Sequence, residues 1–228
     1  MGELIDLDRY RERQVRRQAE ASVGAPAAPV ARSASGPAVF FFDLACPFSY
    51  LAAERVERIL SDVEWIPVTI TTAGERHPCH SRAERARAER QAADLRLPLV
   101  WPDPLRGRTL SALRAARFAQ ELEAGVQFAL AAARLAFCGG FDLEDMDVLS
   151  EAAAAAGISP AGCVQAARDD SKDGALQAAA RGLKERGIQR LPAINMQGSW
   201  LQGEGALAGA AALMQECSVR GGPLAPVG

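Results

Sequence analysis

Apolar and polar positions divide the chain into an irregular beginning, a patterned middle and an irregular end. Residues 1–37 carry charged side chains first and then mostly alanine, proline and other small residues, which is a composition typical of a flexible linker. Apolar residues become frequent at Val39, and from there they recur at strand-like and helix-like spacings. The pattern therefore predicts a flexible N-terminal arm over residues 1–37 and a flexible tail over residues 218–228.

The patterned region opens with signals for a strand, a helix and a second strand. Residues 39–42 are a continuous run of valine and phenylalanine, which predicts a short strand buried on both faces. Pro47 suits the first position of a helix, and the apolar residues that follow it lie on one helical face. Residues 63–70 predict the second strand, in which Pro67 indicates a sheet edge or a bulge.

Helical spacing dominates the middle of the chain, and strand signals return near its end. Between about residues 73 and 171, segments with apolar residues at helical spacing alternate with joints that contain glycine and proline. Residues 191–196 and 199–201 flank a Gln-Gly turn, which predicts a hairpin. Residues 204–216 predict a final helix.

The order of these elements predicts the fold class. A β-α-β unit, a block of helices and an α-β-β-α unit indicate an α/β protein with a thioredoxin-like fold interrupted by an all-helical insertion domain. We assign the thioredoxin-like core to residues 38–72 and 172–217, and the helical insertion to residues 73–171.

Composition and charge restrict the function classes. The net charge of -2 gives no general basic surface, so we expect no nucleic-acid partner. No apolar run approaches the ~20 residues of a membrane span, and the first residues lack the apolar core of a secretory signal. We therefore predict a cytoplasmic protein that does not bind membranes. Its 5 cysteines are an odd number at irregular spacings, which argues against a structural disulfide framework.

Cys46 is the candidate for chemistry, because it lies between the first strand and the first helix. The free N–H groups and the macrodipole of a helix beginning favour an anion, so a thiol placed there has a lowered pKa and is a better nucleophile. The segment Cys-Pro-Phe-Ser has C-x-x-C spacing with Ser49 at the second cysteine position, so an outside thiol or another cysteine must resolve any mixed disulfide. We predict that Cys46 is a catalytic nucleophile that solvent can reach. Ser49 is expected either to hydrogen-bond its sulfur or to satisfy the backbone at the helix beginning.

A second feature supports this prediction. In a thioredoxin-like fold, a cis-proline loop precedes the strand after the helical block and lies beside the reactive cysteine, and Leu191-Pro192 occupies that place. The backbone of Leu191 is then available to pair with an extended substrate. The residues that we expect to contact the substrate are Pro47, Phe48, Leu191, Pro192 and Trp101. The alternative is that Cys46 is a small, buried and inert side chain.

Both histidines of the chain lie around a second cysteine, in the segment His77-Pro78-Cys79-His80. A zinc site needs a fourth ligand at a suitable spacing, and because none is present nearby, we predict no metal. One hypothesis is that Cys79 resolves a mixed disulfide on Cys46, or that His77 or His80 stabilises the Cys46 thiolate. The alternative is an exposed loop without a role in chemistry.

Three motifs in order resemble a known family. FFFDLACPFSYLAAERVERIL resembles the opening of the DsbA-like branch that contains 2-hydroxychromene-2-carboxylate isomerases and kappa-class glutathione transferases, and WPDPLRGRTLSALRAARFA and RGIQRLPAI…SWLQGEGAL resemble later family segments. The resemblance spans about residues 38–215 and implies the interrupted thioredoxin-like fold. It also implies that position 46 faces the sulfur of glutathione and that a homodimer forms.

The chain also departs from the family pattern. Cys46 stands at a family serine, which moves the expected chemistry toward thiol exchange. Gly205 stands where the family has the aspartate that holds the amino group of glutathione, and Arg108 stands where the isomerases carry asparagine. Of the family's glutathione contacts, only the Cys46 position and the Leu191 backbone are carried over. We therefore predict that no cofactor is required, and glutathione is the candidate ligand.

We predict a DsbA-like thiol oxidoreductase that acts on a small thiol or disulfide substrate through Cys46. One alternative is a glutathione-dependent isomerase or kappa-type transferase. The other is a non-catalytic binding protein that keeps the fold.

Overall fold

In the part of the chain described by the computed structural model, residues 38–72 and 75–220, four strands form one mixed sheet in the order β2-β1-β3-β4. Strand β1 (Ala38–Phe42) pairs in parallel with β2 (Val63–Pro67) and antiparallel with β3 (Ala193–Met196). Strand β4 (Ser199–Gln202) pairs antiparallel with β3, as expected for the predicted hairpin. The predicted N-terminal arm lies outside the described residues, as does the predicted tail from residue 221 onward.

The phenylalanines of β1 explain why this strand lies inside the sheet. Phe40 and Phe42 are buried on one face, where both rings pack edge-on against Trp65 of β2. On the opposite face, Phe41 is partly buried and packs against Trp200 of β4. A continuous aromatic run is therefore used on both sides of the sheet.

Strand β2 is a sheet edge and is shorter than predicted. It ends at Pro67, which tolerates an edge position because no neighbour needs a hydrogen bond from it. One further ladder bond joins the Val68 N–H to the Phe42 carbonyl at 2.9 Å. The chain then leaves the sheet, so residues 68–70 belong to the following loop.

The helices of the described residues confirm the fold class. They are α1 (Pro47–Ile59), α2 (Arg82–Leu95), α3 (Leu110–Glu121), α4 (Gly125–Phe137), α5 (Met146–Ala155), α6 (Pro160–Arg168), α7 (Asp173–Glu185) and α8 (Ala206–Arg220). Helices α2 to α6 occupy the middle of the chain, between β2 and α7. The architecture is therefore an α/β thioredoxin-like fold with a helical interruption, while the domain boundaries stay predictions.

Alanine-rich faces hold the helical part together. Helix α3 packs against α4 and α6, and α5 packs against α4 and α6, with buried alanines at most of these contacts. Helix α1 packs against α4 on one side and contacts α8 on another, so its beginning is fixed between sheet and helices. None of the helices within the described residues has the length and apolar composition needed to cross a bilayer.

Candidate active site

A tight turn connects β1 to α1 and positions Cys46. The Asp43 carboxylate accepts a hydrogen bond from the Ala45 N–H at 2.9 Å, and the Asp43 carbonyl accepts one from the Cys46 N–H at 3.0 Å. The Ser49 hydroxyl accepts a hydrogen bond from the Asp43 N–H at 3.2 Å. Cys46 is the N-cap residue of α1 and Pro47 is the first helical residue, so the sulfur lies at the helix beginning.

The Cys46 sulfur has two close partners from distant parts of the chain. Its Sγ lies 3.3 Å from the Sγ of Cys79 and 3.4 Å from the carbonyl oxygen of Leu191. The Leu191-Pro192 peptide bond is cis, and it directly precedes β3. The structure therefore brings together three of the predicted site features, Cys46, Cys79 and the Leu191-Pro192 loop.

The expectation that solvent reaches Cys46 is wrong. Cys46 is 0% exposed, because the short helical turn Pro78–His80 folds over it and places Cys79 above its sulfur. Cys79 itself is 7% exposed, and His77 and His80 are buried as well. The alternative of an exposed loop at residues 77–80 is wrong for the same reason.

The two histidines fasten this covering turn to the strand-to-helix turn. In its neutral form His77 accepts a hydrogen bond at Nδ1 from the Cys79 N–H at 3.1 Å, while its Nε2 atom lies 3.5 Å from an Asp43 carboxylate oxygen. The Nε2 atom of His80 pairs with the Ala45 carbonyl at 2.8 Å. Asp43 is thus a functional candidate that the sequence pattern did not indicate as such. The available signal was its position directly after the buried strand, where site residues often lie.

The surroundings of Cys46 favour its thiolate form. Burial raises the pKa of Cys46, but the hydrogen bond from the Cys79 thiol and the positive charge of His77 together lower it by more than burial raises it. The Ser49 backbone N–H also lowers this pKa, and the net result is a value of about 7. The Ser49 hydroxyl is used by the preceding turn, and the Ser49 N–H also donates to the Cys46 carbonyl at 3.1 Å.

The partners of Cys46 titrate in opposite directions. The hydrogen bond to Cys46 raises the pKa of Cys79, and burial raises it further, so Cys79 keeps its proton while Cys46 is ionised. Burial lowers the pKa of His77, but the Asp43 carboxylate and the Cys46 thiolate raise it more, and the net direction is upward. Burial and the charge of His77 lower the pKa of His80 to about 4, so His80 is neutral.

Titration of the reduced protein tests this charge arrangement. One thiolate should appear in the ultraviolet spectrum with a midpoint near pH 7, below the ~8.5 of an ordinary cysteine. The His77→Gln variant lacks the cation, so its midpoint should move upward. The Cys46→Ser variant should lack this transition. A wild-type midpoint at or above ~8.5 would contradict the proposed stabilisation of the thiolate.

A small cavity of about 60 Å³ lies beside Cys79. Phe48, Leu191, His77 and Cys79 contribute to its walls, whereas Cys46 and Trp101 are not among the described residues that line it. Its rim is charged through Glu84, Arg87, Arg190 and Glu204. A molecule that enters this cavity reaches Cys79 before it reaches Cys46.

Trp101 does not occupy the predicted position in the substrate cleft. Its indole N–H donates to the Glu89 carboxylate at 2.8 Å, and the guanidinium of Arg85 lies over its ring at 4.5 Å. The ring meets His80 edge-on at 6.3 Å, so Trp101 supports the outer side of the covering turn. Pro192 lies in the loop beside Cys46, and its carbonyl accepts a hydrogen bond from the Gly203 N–H at 2.8 Å.

Solved structures with the same fold include enzymes of two kinds. A 2-hydroxychromene-2-carboxylate isomerase is 13% identical with a TM-score of 0.71, over 83% of this chain and 99% of that one. A probable DsbA oxidoreductase from Streptomyces coelicolor is 17% identical with a TM-score of 0.66, over 84% and 93% of the two chains. The cytosolic disulfide reductase DsbM from Pseudomonas aeruginosa is 16% identical with a TM-score of 0.61, over 81% and 98%.

At these identities the structural likeness shows the fold alone. No curated protein sequence matches this chain significantly. The sequence model of the protein family of DSBA-like thioredoxin domains matches residues 38–215, which is most of the chain and includes the whole Cys46 site. The chain therefore belongs to the family of DSBA-like thioredoxin domains.

Proposed function

We propose that this protein is a thiol–disulfide oxidoreductase whose redox pair is Cys46 and Cys79. The observation that carries the proposal is the distance of 3.3 Å between the two sulfurs. A disulfide has an S–S length of about 2.05 Å, so the two sulfurs must approach by roughly 1.3 Å to form the bond. Cys79 thus supplies the second thiol that Ser49 does not provide at the usual position of a C-x-x-C motif.

Oxidation of the pair reduces a substrate disulfide. The Cys79 thiol passes its proton to the Cys46 thiolate and attacks the substrate, whose S–S bond breaks as a mixed disulfide with Cys79 forms. The first substrate thiolate leaves and takes the proton from Cys46. The Cys46 thiolate then attacks the Cys79 sulfur and releases the second thiolate. Two electrons pass to the substrate, and the protein retains the disulfide between Cys46 and Cys79.

This proposal exchanges the roles expected from the sequence. Cys79 faces the cavity, whereas Cys46 lies beneath it, so Cys79 forms the mixed disulfide and Cys46 resolves it. In the reverse direction, an incoming thiolate attacks the Cys79 sulfur and Cys46 leaves. The lowered pKa of Cys46 makes it the better leaving group of the two.

A small cellular thiol is the reductant that this scheme requires, and glutathione is our candidate. The cavity is small, its rim carries two arginines, and the similar DsbM reductase has also been solved with GSH. A reducing cytoplasm would supply such a thiol. The scheme requires no other cofactor.

The geometry favours this function over the glutathione-dependent isomerase and transferase. In the family pattern, position 46 faces the sulfur of glutathione, but in this chain Cys79 fills the space directly in front of Cys46. Glutathione would have to displace the covering turn to reach Cys46. A thiol that reacts with Cys79 does not have to displace this turn.

The test is oxidation of the fully reduced protein by an aromatic disulfide that releases a coloured thiol, followed by peptide mapping. The Cys46–Cys79 pair of the wild type should release two thiols, counted after subtracting the release from a Cys46→Ser/Cys79→Ser double variant, and should yield the disulfide between Cys46 and Cys79. Cys46→Ser should release one thiol from this site by the same difference and retain a mixed disulfide on Cys79, while Cys79→Ser should react at least tenfold more slowly at this site.

Cys163→Ala is the matched control, because Cys163 is equally buried but lies in α6, away from the pair. It should behave like the wild type. Wild-type protein without the Cys46–Cys79 disulfide would overturn the proposal, and so would a Cys79→Ser variant that turns over as fast as wild type. Either result would leave the non-catalytic binding protein as the better account.

A further inference from the structure

Three buried metal-ligand groups converge at the same place in the reduced protein. Donor atoms of Cys46, His77 and Cys79 all lie within 4.8 Å of one another. Their residues are 0%, 2% and 7% exposed. Two cysteine sulfurs and an imidazole nitrogen are a donor set that suits thiophilic cations such as Zn²⁺. The set was not visible from the spacing in the sequence, because Cys46 joins it from 31 residues before His77.

Two buried polar atoms beside this set have no hydrogen-bond partner. They are the Nε2 atom of His77 and the Oδ2 atom of Asp43, which lie 3.5 Å apart. Ligating histidines usually hold their second ring nitrogen against a carboxylate or a carbonyl. His77 has a carboxylate at one ring nitrogen, and its other nitrogen faces the Cys79 backbone. Asp43 is therefore placed to orient the imidazole as a ligand.

Binding a metal requires the two sulfurs to separate slightly and the Nδ1 atom of His77 to exchange its hydrogen bond from the Cys79 N–H for the metal. Zinc–sulfur bonds are about 2.3 Å long, so two thiolates on a tetrahedral zinc ion are about 3.8 Å apart. The two sulfurs here are 3.3 Å apart and would separate by roughly half an ångström. Cys79 and His77 also line the cavity, so a fourth coordination position would open toward it.

We propose that the reduced protein binds one thiophilic divalent cation, with Zn²⁺ as the representative, through Cys46, Cys79 and a ring nitrogen of His77. Both thiols lose their protons on binding, and the fourth position is left to water or to an external ligand from the cavity. The metal and the Cys46–Cys79 disulfide exclude each other, because both use the same two sulfurs. The inference goes beyond the proposed redox function and does not depend on its being correct.

The experiment adds Co²⁺ as a spectroscopic probe to the reduced, metal-free full chain. One equivalent should produce the charge-transfer absorbance of cobalt–thiolate bonds, and one equivalent of Zn²⁺ should abolish it. Most of this absorbance, or most of the affinity for Co²⁺, should be lost in each of the variants Cys46→Ser, Cys79→Ser and His77→Ala. Cys163→Ala is the control and should retain both.

Two further samples keep the test decisive if a variant fails to fold. Wild-type protein oxidised to the disulfide should bind no cobalt, although its sequence is unchanged. Asp43→Asn keeps all three ligands and should weaken zinc binding by about 10–100-fold. Absence of cobalt–thiolate absorbance in reduced wild-type protein would overturn the proposal, as would equal cobalt binding by protein in which peptide mapping has confirmed the Cys46–Cys79 disulfide.

The outcome is separable from that of the redox proposal, because no disulfide turnover is measured here. Protein that forms the Cys46–Cys79 disulfide but binds no cobalt refutes the metal site alone. Protein that binds cobalt through these residues but does not exchange disulfides refutes the oxidoreductase alone.

Discussion

Replacing Cys79 by alanine is expected to turn Cys46 from a protected thiol into one that alkylating reagents modify rapidly. Cys46 is 0% exposed in the native protein, and the Cys79 side chain stands between its sulfur and the cavity. Truncation at position 79 opens the cavity to the sulfur. If local opening of the native site costs about 3 kcal/mol, alkylation of Cys46 should accelerate by about 100-fold.

The same substitution also raises the pKa of Cys46, and this change opposes the faster alkylation. Loss of the Cys79 thiol removes a hydrogen bond that lowers this pKa, so a smaller fraction of Cys46 is thiolate at neutral pH. Measurement at about pH 9 limits this effect, because even an ordinary cysteine is then largely ionised. Rates must be assigned to Cys46 by peptide mapping, since other cysteines also react.

Cys79→Ser provides the matched control. Serine has nearly the size of cysteine and keeps a hydrogen-bond donor, so Cys46 should stay covered and should react much more slowly than in Cys79→Ala. Equal alkylation rates for Cys46 in wild type and Cys79→Ala would contradict the burial on which the exchange of roles between the two cysteines depends.

The fold could be predicted from the sequence because the signals for its strands and helices are local. The aromatic run of β1, Pro47 at the first position of α1 and the Gln197-Gly198 turn each specify an element within a few residues. Their order then leaves few arrangements, since a β-α-β unit places two strands in parallel. The end of β2 was missed, because pairing beyond Pro67 depends on the neighbouring strand and not on apolar character.

Only half of the site could be predicted from the sequence, because the other half depends on contacts between residues that are far apart in the chain. Cys46 and the Leu191-Pro192 loop were found because each occupies a recognisable place in the fold. That Cys79 covers Cys46 depends on how residues 75–81 cross the strand-to-helix turn, and this path is fixed by long-range contacts such as His80 to Ala45. The one local hint was that both histidines of the chain lie beside Cys79. Spacing within that segment argued against a metal, but folding brings the thiol of Cys46, the N-cap residue of α1, next to His77 and Cys79.

Loss of the His77 cation should destabilise the protein strongly, because it leaves the Asp43 carboxylate buried without its charge partner. Asp43 is 1% exposed and retains a hydrogen bond from the Ala45 N–H. Breaking a buried ion pair by removing one member typically costs 3–5 kcal/mol. We expect His77→Gln to lower the free energy of unfolding by about 3 kcal/mol at pH 6, measured by urea denaturation of the reduced protein.

A double-mutant cycle separates this pair from the loss of the histidine ring itself. Asp43→Asn removes the charge but keeps an oxygen that accepts the Ala45 N–H, so adding it to His77→Gln should recover part of the loss. The coupling energy should exceed about 1 kcal/mol at pH 6, whereas strict additivity would mean that the two side chains do not interact.

The coupling should also depend on pH in a defined direction. The pKa of His77 is raised in the folded protein, so its stabilising contribution is complete below the unfolded value of about 6.5 and is lost as the pH rises through the folded value. The Cys46 thiolate appears near pH 7 and extends the stabilising contribution of His77 to higher pH, because it adds a second negative charge beside His77. Cys46→Ser should therefore shift the loss of coupling to lower pH. A coupling energy that increases from about pH 6 to pH 9 would show that His77 is not the cation in this site.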